Sequence, residues 1–234
     1  MKIKIYSGLS LDEKTVKRFF PDAETCGPIK RSDLIGDIKR QVHVVGIVDG
    51  EFLQSRAVSP TDIMDALRCG LKVYGSSSMG AIRAAELDSY GMIGCGKIYE
   101  FIKRTPYFKD DHLGLVFYKG YSAFNYAYLD FVFGLEQLCS DGEISTGDLR
   151  TLIRYYKKLH FSERNMHTLK MRISNESSHP ANMVKLLDKI TKKIKSTKTA
   201  DGIVLLKKIK NDIRQNQKTN YSLSSRLQYA PARD

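Results

Sequence analysis

Apolar and polar positions along the first half of the chain follow two alternating periods. Val44, Val45, Ile47 and Val48 form a nearly continuous β-branched run, the pattern of a strand covered on both faces. Ser59-Pro60-Thr61-Asp62 supplies an N-cap, a proline suited to the first helical position and a capping-box acid, and Gly70 follows the last turn. Ile63, Ala66 and Leu67 recur at helical spacing between these signals. Leu71, Val73 and Tyr74 start another strand at once, so residues 42–75 read as one right-handed βαβ crossover. Met79, Ile82, Ala85 and Leu87 carry the next helix, and the opening MKIKIYSG alternates charged and apolar residues like a first strand.

Helical periods dominate the second half. Tyr121 to Cys139 is aromatic and apolar and ends at Ser140-Asp141-Gly142, after which Ser145-Thr146-Gly147-Asp148 opens a helix with Leu149, Leu152, Ile153 and Tyr156 on one face. Ser162 to Arg172 reads as a further helix, residues 174–180 as a loop, and 181–196 and 201–216 as two amphipathic helices. The expected fold is therefore α/β: a small, mainly parallel sheet with Gly/Ser-rich strand-to-helix turns, plus a helical C-terminal half. In domain terms, residues 1–118 form an α/β core with the active site, 119–219 a helical extension packed on it, and 220–234 a mobile polar tail.

Charge changes this picture only toward the end of the chain. Residues 181–234 hold thirteen Lys and Arg against four Asp, 13 − 4 = +9 of the whole chain's 38 − 26 = +12, so most of the excess lies in the last quarter. Such a basic helical segment is a solvated face, a surface for an acidic protein, or a nucleic-acid contact. Nucleic acid ranks last, since only Tyr221 and Tyr229 are available to stack on bases. Cys26, Cys69, Cys95 and Cys139 lack C-x-x-C spacing, and His43, His112, His160, His167 and His179 lack ligand spacing, so no disulfide framework, metal or cofactor is expected. Without a signal peptide or long apolar span, the expected location is cytoplasmic, with no membrane partner.

Candidate chemistry gathers where the two strands end. Asp49, in GIVDG (46–50), and Ser78, in GSSSMG (75–80), fall at the same end of a parallel sheet, the end at which open α/β sheets bind ligands. Ser76 to Gly80 reads S-x-S-x-G, an approximation to the nucleophile elbow G-x-S-x-G. Small residues at Gly75, Ser76, Ser77, Gly80 and Ala81 permit a sharp turn and leave room for a substrate backbone. The new helix turns its first free N–H groups toward Ser78, a ready site for an oxyanion or carboxylate. The same turn also suits a plain helix cap or a phosphate site, because no triad histidine accompanies it.

Several segments together resemble the TfuA family: IVDGEF (47–52), AVSPTDIMDALRCGLKVYGSSSMGAIRAAEL (57–87), YGMIGCGKIYEF (90–101), DDHLGL (110–115) and KLHFSERN (158–165). The resemblance spans roughly residues 28–170. It implies a partner of a YcaO enzyme in peptide backbone thioamidation. In that role the protein hydrolyses a thiocarboxylated ThiS-type sulfur carrier to release sulfide, and the precursor peptide is a further partner. It also implies a hydrolase-like Ser–Lys pair. The family serine falls on Ser78, its RA-x-EL positions on Arg83 and Glu86, and its acidic pair on Asp110 and Asp111. The family's usual glutamate is replaced here by His112 and a common basic residue by Thr61, which leaves a non-catalytic adaptor as the alternative. The base is expected at Lys30 and next at Lys97, since a general-base lysine must be desolvated and must reach Ser78. Asp49, Gly50, Gly75, Ser76, Ser77, Met79, Gly80, Arg83, Glu86, Asp110 and Asp111 are the expected substrate-binding residues.

Overall fold

The structure, a computed structural model, describes residues 1–51, 57–106, 108–114 and 127–227, with side chains to residue 217. β1 (Ile3–Tyr6), β2 (Glu24–Cys26), β3 (Val44–Ile47), β4 (Lys72–Gly75) and β5 (Ile93–Gly94) make one sheet. Its order is β2-β1-β3-β4-β5 and every pairing is parallel. Connecting them are α1 (Glu13–Phe19), α2 (Asp33–Lys39), α3 (Pro60–Arg68) and α4 (Met79–Leu87), and α5 (Lys97–Arg104) follows β5. From β1 the chain adds β2 on one side and then returns to add β3 on the other. Open α/β sheets bind ligands outside the carboxyl ends of the strands where the order reverses, here β1 and β3.

Strand alternation assigns the two faces. Val45 and Ile47 of β3 and Val73 of β4 pack with Leu34, Ile63, Ala66 and Met79 beneath α2, α3 and α4. Val44 and Val48 point the other way with Ile5 and Tyr74, against Val16 of α1 and Leu205, Leu206 and Ile209 of α10 (Thr197–Leu227). These three α10 residues are fully buried, each contributing about 1.5–3 kcal/mol over an exposed position. On the opposite face Lys4 and Tyr6, two apart on β1, meet the fully buried Asp37 of α2. Lys4 Nζ lies 2.7 Å from Asp37 Oδ1, and Tyr6 OH donates to Asp37 Oδ2 at 2.6 Å.

The expected helical half is present as α6 (Tyr128–Ser140), α7 (Thr146–Lys157), α8 (Met166–Glu176) and α9 (Pro180–Thr191). Phe131, Leu135, Leu152, Tyr156, Leu169, Ile173, Leu187 and Ile190 form its own core. Leu129, Val132 and Phe133 of α6 join it to Ala81 and Ile82 of α4 and Ile98 of α5. The helix expected over 162–172 starts later, because Asn165 caps α8 by accepting from the Thr168 amide at 2.9 Å. α10 departs further from expectation. Its apolar stripe returns to the sheet instead of joining the helical module, so the last helix of the expected extension belongs to the sheet's core. It also runs through residues 220–227 of the expected mobile tail, with no glycine or proline between Gly202 and Pro231 to stop it. Residues 228–234, like 121–126 before α6, lie outside the described residues.

Candidate active site at the carboxyl end of the sheet

The turn from β4 into α4 is built by close backbone contact. A Cβ on Gly80 would lie 1.9 Å from the Ile47 carbonyl oxygen, and one on Gly75 would lie 2.2 Å from the Gly80 oxygen. Only glycine lets α4 sit this near β3 and β4. The space expected to admit a substrate backbone is therefore filled by helix-on-strand packing. Ser77 takes up the turn with φ of 69°, a left-handed conformation that a residue with a Cβ adopts at a cost. Ser76 and Ser77 are fully buried, and Ser76 Oγ donates to the Asp201 carbonyl at 2.9 Å. Ser77 Oγ is buried and has no hydrogen-bond partner.

Ser78 differs from both neighbours. It is half-buried at the N-cap of α4, and its side chain makes no capping bond. Fewer amides are free beside it than expected, because those of Ser78 and Gly80 both donate to the Val48 carbonyl, at 3.2 and 3.4 Å. The Met79 amide opens α4, where no residue of the helix can accept from it. An elbow places one oxyanion donor there, on the residue after the nucleophile. Gly75, Met79 and Gly80 are buried.

Asp49 and Ser78 stand at the carboxyl ends of adjacent strands, β3 and β4. The Asp49 carboxylate is committed to the loop after β1, accepting from the Gly8 and Ser10 amides at 2.8 and 3.0 Å and from Ser10 Oγ at 2.7 Å. Gly50 pairs with Ile29, and a Cβ there would meet Met79 Cγ at 2.7 Å. Lys30 lies beside it, exposed, with Nζ 3.4 Å from Glu51. Lys97 opens α5, its ammonium 4.0 Å over the Phe133 ring and 3.6 Å from Glu136. Neither lysine has the desolvated setting expected of a base. Arg83 and Glu86 bind each other, at 3.0 and 2.8 Å, and Arg83 Nε donates to the Val58 carbonyl at 2.9 Å. They fasten α4 to the segment before α3. Asp110 is exposed, whereas Asp111 is held by Arg164, which donates to its carbonyl at 2.6 Å and its carboxylate at 3.0 Å.

Besides Lys4, two buried cations escaped sequence reasoning. Arg164, the arginine of KLHFSERN, is 4% exposed and ties that segment to Asp111. Lys198 is 3% exposed. Its amide donates to Asp130 Oδ1 at 3.0 Å and its Nζ to the Leu113 carbonyl at 2.8 Å. Burial pushes the Lys198 ammonium toward deprotonation, and the charges of Asp130 and then Asp49 offset this only in part. One turn further along α10, the Asp201 carboxylate accepts from the Lys97 and Ile98 amides, both at 2.8 Å, and so caps α5. Among the described residues no group of three or more His, Cys, Asp or Glu is placed to hold a metal ion.

A doubly wound parallel sheet, with a small-residue turn meeting a helix N-terminus beside its switch point, defines the class of protein. The chain belongs to the TfuA-like family: the model described as TfuA-like protein matches residues 49–165, half of the 234-residue chain. No curated protein sequence matches it. The matched span contains Ser78, Arg83, Glu86, Asp110, Asp111 and Arg164, and excludes Lys30 and Lys198. At the level of the family, this associates the chain with YcaO-type thioamidation. No helix among the described residues is long and apolar enough to cross a membrane.

Proposed function

We propose that this protein is a serine hydrolase-like partner of a YcaO enzyme in peptide backbone thioamidation, with the thiocarboxylated tail of a ThiS-type sulfur carrier as its substrate. The observation that carries the reading is Ser78: a half-exposed hydroxyl without a capping bond, followed by a helix-opening amide, at the carboxyl end of a parallel sheet. Ser78 Oγ attacks the carbonyl carbon, and the Met79 N–H stabilises the oxyanion that forms. The C–S bond then breaks and the hydroxyl proton leaves with the sulfur as HS⁻. Water clears the acyl group and regenerates the hydroxyl. Sulfide is a better leaving group than an amine, so this chemistry asks less of a general acid than amide hydrolysis does. Lys30, exposed beside Glu51, is the base expected from the sequence. The precursor peptide is a further proposed partner.

An adaptor that only holds the carrier and docks on the YcaO draws support from the tightness of the turn, where five of the expected binding residues, Gly75, Ser76, Ser77, Met79 and Gly80, are buried. Ser78→Ala separates the two readings. Sulfide release from a thiocarboxylated carrier is expected to fall at least about a thousandfold, with carrier binding and thermal stability little changed. Release at the wild-type rate from Ser78→Ala establishes the adaptor.

A further inference from the structure

α7 sets its cations against one another. Arg150 and Arg154 stand four residues apart, Arg154 and Lys157 three, and Arg154 and Lys158 four. At these spacings side chains share one helix face, and like charges repel. The macrodipole favours cations in the last turn, which accounts for Lys157 and Lys158, but Arg150 lies in the first half of the helix and gains nothing from it. Carboxylates relieve little of this. Among the described residues only Lys158 of the four reaches one, Glu176 at 2.8 Å, and Arg154 lies 5.4 Å over the Tyr155 ring. Elsewhere on the helical module cations do find carboxylates: Lys189 and Lys193 share Glu143, and Arg172 joins Lys158 at Glu176.

The same four cations line an open groove of about 540 Å³, with Ile153 between them. All four are exposed, whereas Ile153 is half-buried. It packs both with the helical module's core and with the cluster that joins α6 to α4 and α5. The groove therefore has a fixed aliphatic floor and cationic walls.

We propose that this groove is a docking surface for an acidic amphipathic helix of a partner protein, which sets carboxylates against the cations and an aliphatic side chain on Ile153. Two helices lying side by side share one repeat, so carboxylates four residues apart on the partner meet Arg150 and Arg154 four residues apart on α7. Each guanidinium offers a carboxylate two parallel N–H bonds. The partner's charge also removes the repulsion that α7 carries alone. Nucleic acid suits the groove less well, because both aromatic residues of α7, Tyr155 and Tyr156, are buried and leave bases nothing there to stack on. A second copy of the chain brings its own net charge of +12, which opposes approach. The proposal stands apart from the hydrolase reading and uses none of its residues.

Fluorescence anisotropy on the full chain tests this with a labelled peptide of about fifteen residues, carrying glutamates one turn apart and leucines among them. The wild type is expected to bind it saturably, and at least about tenfold more weakly when glutamine replaces the glutamates or alanine the leucines. Arg150→Glu with Arg154→Glu is expected to lose at least about tenfold as well, and to gain affinity for the same peptide with lysine in place of glutamate. Lys185→Glu with Lys192→Glu makes the same change of net charge at exposed positions on α9 and is expected to bind as the wild type does. The two peptide arms need no variant, and thermal melts show that the variants fold. Absence of saturable binding by the wild type up to about 1 mM peptide overturns the proposal. So does equal binding of a peptide of the same composition with its glutamates and leucines reordered off one helical face, or a loss in the α9 variant as large as that in the α7 variant. A single-stranded oligonucleotide of the same charge that binds as tightly as the peptide overturns it in favour of nucleic acid.

Discussion

Two lysines of this structure are buried almost equally deep: Lys4, on β1, is 4% exposed and Lys198, at the start of α10, 3%. Lys4 touches Asp37 at 2.7 Å and comes within 3.3 Å of Glu24. Burial alone pushes it toward deprotonation, but the bond to Asp37 and its charge more than reverse that, so it holds its proton more firmly than a free lysine does. Burial, and after it the bond to Asp37 and that carboxylate's charge, push the Tyr6 phenol up as well. Lys198 has a carbonyl where Lys4 has a carboxylate, and its shift runs the other way. Equal burial thus goes with a firmly held proton in one place and a loosened one in the other. What separates them is whether a carboxylate oxygen is left over for the ammonium.

That contrast is most open to attack at Asp37. Asp37→Ala strands the Lys4 charge in the core and is expected to cost about 3–5 kcal/mol in urea unfolding. A loss below about 1 kcal/mol would show that Lys4 is not held as described. Replacing both partners, Lys4→Met with Asp37→Leu, is expected to cost less than Asp37→Ala alone, since no charge remains unpaired. Lys198→Met gives up one bond to a carbonyl and relieves one unfavourable amine, so its stability is expected to move by about 1 kcal/mol or less. A change as large as that of Asp37→Ala would make Lys198 a structural residue.

The smallest effect is in alkaline stability. The folded pKa of Lys4 lies above the unfolded value of about 10.4. Its contribution is therefore full below that value and is lost as pH rises through the folded pKa. For Lys198 the folded pKa lies below the unfolded one, so stability rises with pH from the folded pKa up to about 10.4. Urea melts of Lys4→Met and Lys198→Met against the wild type, taken across alkaline pH, are expected to give difference slopes of opposite sign.

Local patterns made the sheet end legible. The β-branched run at 44–48, the Ser59 capping box, which forms as expected, and the glycines around Ser78 each fix a neighbouring turn or strand. Together they put Asp49 and Ser78 on adjacent strands. β2 and β5 left little trace, because three and two residues respectively are too short to show an alternation. Lys198 left none. In the run KKIKSTK (192–198) it looks like its neighbours, and only the docking of α10 distinguishes it. The stripe of Leu205, Leu206 and Ile209 announced a helix but not which surface it would cover. Lys30 is the base the sequence expects, but the segment before α2 that carries it lies at the surface and leaves its side chain in water.

α10 meets the β4–α4 turn at Ser76 and, at thirty-one residues, extends about 46 Å if straight. A ribosome releases the Asp49 and Ser78 turns long before it releases the helix that closes over them. Through that interval the growing chain holds its serine but neither Lys198 nor the Asp201 cap on α5. The carboxyl end of the sheet is then unfinished while the chain is nascent, and a cut between α9 and α10 would return it to that state with every residue of the matched family segment in place.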